Sequence, residues 1–389
     1  MSDNQSNIEI FTSFEKMGLK DNIMRGVYSY GFEFPSEIQS KGIKKIIDGK
    51  DLVAQSQAGT GKTGTFIIGA LEKIDENVNG CQVVIIAPTR ELAAQIQEVC
   101  KSIGTYLKMK TVLCVGGSNI QESRKEIDSY PSIVIGTPGR IIDMLDKGYL
   151  TTKAVKLLVL DEADEMLAGS FIDQMKTIVS QLSQSCQICL FSATMPQEIL
   201  DITDKFMNKP ENILIKQEEL TLDGIKQFFI NVEQERWKFE TFCDLFDLIS
   251  VSQTIVYVNS KQRAEMLKDM LEDKHFPVSV MHSNMTPLER IQIMKNFRSG
   301  GTRILISTDL LARGIDVQQV SIVINYDLPN LPQDKELYIH RIGRSGRFGR
   351  KGVSISFVTK RDYWKINELR KQFNTTIEPM PKNFNEFLS

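Results

Sequence analysis

Val155-Lys156-Leu157-Leu158-Val159-Leu160 runs directly into Asp161-Glu162-Ala163-Asp164. A run this apolar, with no strict alternation, reads as a strand buried on both faces, as in a parallel sheet covered by helices. Such sheets bind ligands outside the carboxyl ends of their strands, which is where the acidic residues fall. Two carboxylates there suit a magnesium ion and a water to be activated. Asp and Glu also favour the first turn of any helix, so the tetrapeptide alone is open to that second reading.

Upstream lies Ser56-Gln57-Ala58-Gly59-Thr60-Gly61-Lys62-Thr63, between a short strand (Asp51–Ala54) and a helical stretch from Gly64 to Lys73. This is the setting a phosphate-binding loop requires. Glycines let the backbone wrap an anion, and the N–H groups at the helix start attract it. Lys62 would reach the β- and γ-phosphates and Thr63 would hold magnesium. Ser56 stands where the common pattern has Gly; the alternative is a Gly-rich turn with a surface lysine. Downstream, His340-Arg341-Ile342-Gly343-Arg344-Ser345-Gly346-Arg347 spaces arginines by three, on one side of a helix and its exit loop. A basic patch or localisation signal is one reading; arginine fingers aimed at a γ-phosphate are the other.

The chain has 389 residues, 41% of them hydrophobic and 25% charged, which suits a two-domain globular protein. No run is long enough for a membrane span, and Met1–Asn7 is polar, so a cytoplasmic or nuclear protein is expected. The formal net charge of −2 excludes bulk electrostatic attraction to nucleic acid but not a locally positive groove. Cys186 and Cys189 form a C-x-x-C within a strand, where that spacing sends side chains to opposite faces; ordinary core cysteines are expected rather than zinc ligands.

Strand candidates Asp51–Ala54, Gln82–Ala87, Thr111–Val115, Ile133–Gly136, Lys156–Leu160 and Gln187–Phe191 alternate with helical intervals such as Glu91–Leu107. This alternation predicts a doubly wound parallel sheet. The pattern restarts with Ile225–Val232, Thr254–Val258, Val278–Met281, Arg303–Ser307, Ser321–Asn325 and Val353–Val358. The helices between them are Arg236–Ile249, Lys261–Leu271, Pro287–Phe297 and Arg361–Gln372. We expect a mobile tail (1–12), a first domain (13–215), a linker (216–224) ending in Gly, and a second domain (225–389) without a phosphate loop of its own. ATP held between the two would draw them together, and hydrolysis would release them.

These segments together resemble the DEAD-box RNA helicases, most closely the translation initiation factor 4A family, from about Phe14 to Leu388. The resemblance implies two tandem RecA-like domains with an ATP cleft between them, and ATP and Mg2+ as cofactors. Gly31-Phe32-Glu33-Phe34-Pro35-Ser36-Glu37-Ile38-Gln39, with Phe14 upstream, resembles the adenine-reading motif. Gln39 would read the base and Phe32 would pack on it, although Ser36-x-x-Gln39 is also a capping box. Ala58, Gly59, Thr60 and Gly61 would cradle phosphate. The carboxylate roles carry over as Asp161 for magnesium, Glu162 for the attacking water and Asp164 for coupling, with Ser192, Thr194 and His340. Pro88-Thr89-Arg90, Gly116-Gly117 and Thr137-Pro138-Gly139-Arg140 resemble RNA-backbone motifs. Ser307-Thr308-Asp309, with its continuation through Arg313 to Asp316, resembles the motif that contacts both RNA and ATP. Thr308 and Arg313 would touch RNA, Asp316 the ribose of ATP, and Arg344 and Arg347 would be the fingers.

Departures from the family pattern occur at Val256-Tyr257-Val258-Asn259-Ser260, at His282-Ser283-Asn284, at Ala168-Gly169-Ser170-Phe171, and in a longer loop at Asn330–Lys335. They bear on RNA affinity and partner binding rather than on the ATPase. The expected protein is a monomeric RNA-dependent ATPase that opens short RNA duplexes without sequence preference, guided by scaffold or regulatory partners. The alternatives are an ATP-locked RNA clamp in an exon-junction-like or ribosome-assembly complex, and a DNA-acting helicase.

Overall fold

In a computed structural model the chain divides into two compact units, Met1–Ile215 and Lys216–Ser389. The structure describes residues 10–56, 60–117, 119–167, 171–203, 206–214, 225–248, 253–309, 320–345 and 352–381. Ala58, Gly59, Arg313, Asp316, Arg347, the linker 216–224 and most of the expected tail lie outside the described residues.

The first unit carries strands β1 (Leu52–Gln55), β2 (Val83–Ile86), β3 (Thr111–Cys114), β4 (Ile133–Gly136), β5 (Leu157–Asp161), β6 (Gln187–Ser192) and β7 (Glu211–Leu214). Its helices are α1 (Asp21–Ser29), α2 (Glu37–Ile47), α3 (Lys62–Lys73), α4 (Arg90–Ile103), α5 (Ile120–Ile127), α6 (Pro138–Asp146), α7 (Ala163–Met166), α8 (Phe171–Ser180) and α9 (Gln197–Thr203). The strands form one parallel sheet in the order β3-β4-β2-β5-β6-β1-β7. The apolar run that ends in Asp161 is a central strand, and Leu157, Leu158, Val159 and Leu160 are wholly enclosed. Leu157 and Val159 enter one apolar layer, with Phe66 and Ile96 of α3 and α4; Leu158 and Leu160 enter the other, with Met144 and Met175 of α6 and α8. Each side chain so buried contributes about 1.5–3 kcal/mol. Cys189 packs in the first layer and Cys186 in the second, on opposite faces as their spacing requires.

The second unit carries β8 (Ile225–Glu233), β9 (Thr254–Tyr257), β10 (Val278–Met281), β11 (Ile304–Ser307), β12 (Ile322–Asn325), β13 (Gly352–Thr359) and β14 (Glu378–Pro379). Its helices are α10 (Lys238–Leu248), α11 (Lys261–Asp273), α12 (Pro287–Arg298), α13 (Lys335–Ile342) and α14 (Tyr363–Phe373). The sheet order, β10-β11-β9-β12-β13-β8-β14, repeats that of the first unit strand for strand. The two units thus share a topology that no short-period sequence repeat announces.

Strand ends fall within one or two residues of the sequence expectation. The edge strands β7 and β14 were not foreseen. The stretch expected as one helix over Glu91–Leu107 stops at Ile103, followed by a tight turn over Gly104–Tyr106. Gly104 lies against the Met109 side chain, which would have to shift for a Cβ there, 2.2 Å from its Cε. Helix α3 begins at Lys62, two residues before its expected start, because Gly61 adopts φ +107° as its N-cap.

Buried Asp51 ties three strands together: its carboxylate accepts from Ile188 N–H (2.8 Å) and Asn208 N–H (2.7 Å), next to β1, β6 and β7. Hydrogen bonds to a charged group contribute about 1.5–3 kcal/mol each, so Asp51→Ala is expected to lower unfolding free energy by about 3 kcal/mol. Urea titration of the full chain checks this, with Asp51→Asn expected to lose less because one acceptor oxygen survives.

Candidate active site

The sheet order sorts the motifs of the first unit along one edge. The carboxyl ends of β5, β6 and β1, adjacent strands, lead into Asp161–Asp164, Ser192–Thr194 and the phosphate-loop segment. The carboxyl ends of β3, β4 and β2, on the other half, lead into Gly116-Gly117, Thr137–Arg140 and Pro88–Arg90.

On the first half, Lys62 is buried at the start of α3, and its Nζ has no hydrogen-bond partner among the described residues. Its charge acts on Asp161, at the end of β5. Burial, and next the neighbouring Glu162 carboxylate, hold the Asp161 carboxyl well above the ordinary carboxylate range, against the pull of Lys62. The Asp161 carboxyl, and the hydroxyl of Thr63 in the first turn of α3, are oxygen donors of the kind a hard divalent cation takes. Glu162 sits at φ +52°, ψ +54°, a left-handed conformation that strains a residue bearing a Cβ. It forms the corner between β5 and α7, and Asp161 Oδ1 accepts from its N–H (3.0 Å).

The three strand exits are laced together. Asp164 accepts from the Thr194 hydroxyl, and its N–H donates to Ser192 Oγ (3.4 Å). Ser56 N–H donates to the Ser192 carbonyl (3.0 Å), and Gln55 Nε2 to the Ala193 carbonyl (3.4 Å). Ser56, where the common loop has Gly, also pairs its hydroxyl with that of Thr60 across the loop. Nothing in the local sequence pattern announced these contacts, since each joins residues that only the sheet makes neighbours.

Gln39 does two things at once. Its Oε1 accepts from Ser36 N–H (2.9 Å), the return half of a capping box, while Nε2 donates to the Gly61 carbonyl (3.4 Å). The segment lies so close to α3 that a Cβ at Gly64 would stand 2.6 Å from Gln39 Nε2 and 2.9 Å from the Phe32 ring. Phe32 is half-buried. Phe14 is wholly enclosed behind it, ring centroids 6.4 Å apart and nearly parallel, so Phe14 backs Phe32 rather than facing outward.

On the other half, three helices begin side by side. Thr89 Oγ1 caps α4 by accepting from Leu92 N–H (3.3 Å), and Pro138 opens α6 after Thr137. The Arg90 guanidinium lies against Gly116: a Cβ there would be 3.1 Å from Nη2. Gly117 takes φ +81°, and Gly139 is exposed at the start of α6. Arg140 is buried and donates to Ser123 Oγ (3.4 Å), joining α6 to α5.

In the second unit, Thr308 and Asp309 follow β11 and are partly exposed. Helix α13 ends at Ile342, so Arg341 is in its last turn and Arg344 lies just beyond. His340 is wholly buried; Arg344 is buried and its Nε donates to the His340 carbonyl (3.2 Å).

The chain matches the family models described as DEAD/DEAH box helicase over residues 36–202 and as Helicase conserved C-terminal domain over residues 237–349. It is 51% identical over 380 residues to the "Eukaryotic initiation factor 4A" of Cryptosporidium parvum, covering 98% of this chain and 93% of that one. It is 53% identical over 368 residues to the "ATP-dependent RNA helicase eIF4A" of Candida albicans, covering 95% and 92%. It is also similar to the solved structure of S. cerevisiae Dbp5 bound to RNA and ADP BeF3, at 33% identity and a TM-score of 0.91, covering 97% of this chain and 98% of that one. With half its residues identical across nearly the whole length of these relatives, the chain belongs to the initiation factor 4A family of DEAD-box ATP-dependent RNA helicases.

Proposed function

We propose that this RNA helicase binds ATP with magnesium at the β5-β6-β1 edge and uses hydrolysis to open short RNA duplexes in translation initiation. The observation that carries the reading is Lys62: a buried ammonium with no hydrogen-bond partner among the described residues, acting on Asp161. A buried cation without an acceptor is costly, and a phosphate oxygen is the acceptor that a loop opening a helix attracts.

In this reading Lys62 and the N–H groups of Ala58, Gly59, Thr60 and Gly61 hold the phosphates, while Thr63 and Asp161 hold magnesium. When bound, magnesium would neutralise charge on the transferring phosphoryl group. Glu162 polarises the attacking water. Gln39 and Phe32 take the adenine, with Phe14 as backing, and Asp316 takes the ribose. Arg344 and Arg347 act on the γ-phosphate. Asp164, Ser192, Thr194 and His340 couple hydrolysis to RNA, which Pro88, Thr89, Arg90, Gly116, Gly117, Thr137, Pro138, Gly139, Arg140, Thr308 and Arg313 contact along its backbone. Contacts of this kind track phosphate and 2′-hydroxyl and carry little sequence preference.

Residues 13–215 and 225–389 serve as the working domains, joined by 216–224. The protein acts as a monomer in the cytoplasm or nucleus, directed to its RNA by scaffold or regulatory proteins. The names of its relatives support the role in translation initiation. Among the described residues no helix is long and apolar enough to cross a membrane.

Lys62→Ala is expected to weaken ATP binding by about 10–100-fold, the equivalent of one hydrogen bond to a charged group. Glu162→Gln should keep that affinity and slow turnover by about 10²–10⁴-fold, since a carboxamide cannot take up the proton. Fluorescent-nucleotide titration with steady-state ATPase separates the two; tight binding by Lys62→Ala sinks the site.

Gln39→Ala removes a cap contact, which alone costs about 1 kcal/mol, and also the bond to Gly61. A fall in both melting temperature and ATP-over-GTP preference is expected. An unchanged preference would leave Gln39 as a cap alone.

RNA is expected to raise the ATPase rate; at equilibrium ATP should tighten RNA binding and RNA should tighten ATP binding by one shared coupling energy. DNA of the same sequence should stimulate poorly because it lacks the 2′-hydroxyl. ATPase assays with matched strands at one salt concentration decide this, equal stimulation by DNA pointing to a general nucleic-acid helicase.

A further inference from the structure

Among the described residues Arg341 is the largest fully enclosed side chain. It collects acceptors from three strand exits of the second unit. Its Nε donates to Asp309 Oδ1 (2.6 Å), just past β11, and Nη2 to Asn259 Oδ1 (3.0 Å), just past β9. Nη1 donates to the main-chain oxygen of Asp327 (2.7 Å), just past β12. The Tyr257 ring lies 5.2 Å from its guanidinium carbon. Asp327 extends the network, pairing its carboxylate with Lys238 (2.9 Å) and Arg263 (2.7 Å) and accepting from Asn259 N–H (3.2 Å).

A buried charge is a poor way to gain stability alone, because well-packed apolar residues of similar volume do as well or better. The planar fork of Arg341 instead makes several directional bonds at once, which an apolar residue cannot. Two of its neighbours matter for the reaction. Asp309 follows Thr308 on the partly exposed segment after β11, and Arg344 N–H donates to the Arg341 carbonyl (3.1 Å), one turn further along the chain. The guanidinium end of Arg341 is therefore bound to one segment and its main chain to the other.

We propose that Arg341 is a positioning residue that links the Thr308-Asp309 segment to Arg344, so that RNA engaging the first sets the second for hydrolysis. This rests on the assignment above of Thr308 to RNA and Arg344 to the γ-phosphate. A displacement of Asp309 pulls on the guanidinium, which is held on its other sides by the exits of β9 and β12. The end of α13 and Arg344 move with it or are held with it. The charge on Asp309 thus acts on the rate of hydrolysis and not on the affinity for the strand.

The test uses the full chain, a polyuridine strand and four variants: Asp309→Asn, Arg341→Lys, the double variant, and Arg344→Ala. Asp309→Asn is expected to lower the RNA-stimulated kcat about tenfold, the loss of about 1.4 kcal/mol of transition-state stabilisation. The RNA concentration giving half-maximal rate should stay within about twofold of the parent. Arg341→Lys should act in the same direction, and the double variant should be no slower than the slower single one, since both break one link. Should Arg341→Lys fail to fold, Asp309→Asn, on a partly exposed residue, carries the test. A parental kcat for Asp309→Asn, a shift confined to half-maximal RNA, or fully multiplicative losses in the double variant would each overturn the link. Arg344→Ala separates the two layers. If it slows hydrolysis while Asp309→Asn does not, the link alone is wrong; if it leaves hydrolysis unchanged, the assignment of Arg344 falls and the link with it.

Discussion

A parallel sheet covered by helices on both faces has one edge where chemistry can be built. Its strand interiors are sealed, as the enclosed Leu157–Leu160 run demonstrates, and its loops at the carboxyl ends are where helix N-termini gather. The rest of this protein follows from that constraint. The motifs that follow strands of the first unit all leave the sheet at the same edge, and the strand order decides which of them become neighbours.

That order puts β6 between β5 and β1, so Ser192-Ala193-Thr194 stands between the acidic corner and the phosphate-loop segment. It bonds to both: to Asp164 through the Ser192 and Thr194 side chains, and to Gln55 and Ser56 through its carbonyls. Each neighbouring strand exit is thus one hydrogen bond from this segment. Strands β3, β4 and β2 form the second half of the edge and end at three adjacent helix starts.

The site stores cost that the surrounding fold supports. Glu162 occupies a left-handed conformation, the Asp161 carboxyl is held well above the ordinary carboxylate range by burial and by its neighbour's charge, and Lys62 Nζ is buried without a hydrogen-bond partner among the described residues. Each of these is unfavourable in isolation. All three lie at one edge of the sheet, in a helicase family that uses ATP.

The sequence by itself determined the strands, the two-fold βα alternation, the phosphate-loop stretch and the acidic corner, because each is a local pattern whose physics lies within about ten residues. Edge strands β7 and β14 were not legible: Glu211-Asn212-Ile213-Leu214 and Glu378-Pro379 lack a buried apolar run, since an edge strand needs only one partner. Nor does the capping-box pattern of Ser36 and Gln39 show that the Gln39 amide also donates to the Gly61 carbonyl, 22 residues along the chain; only the tertiary structure decides that. Arg341 is the clearest case. Within its motif it is one arginine among several, and its partners Asp309 and Asn259 stand 32 and 82 residues away. A side chain's local pattern states its charge and its place on a helix, but only the packing of strands from distant parts of the chain decides what that charge meets.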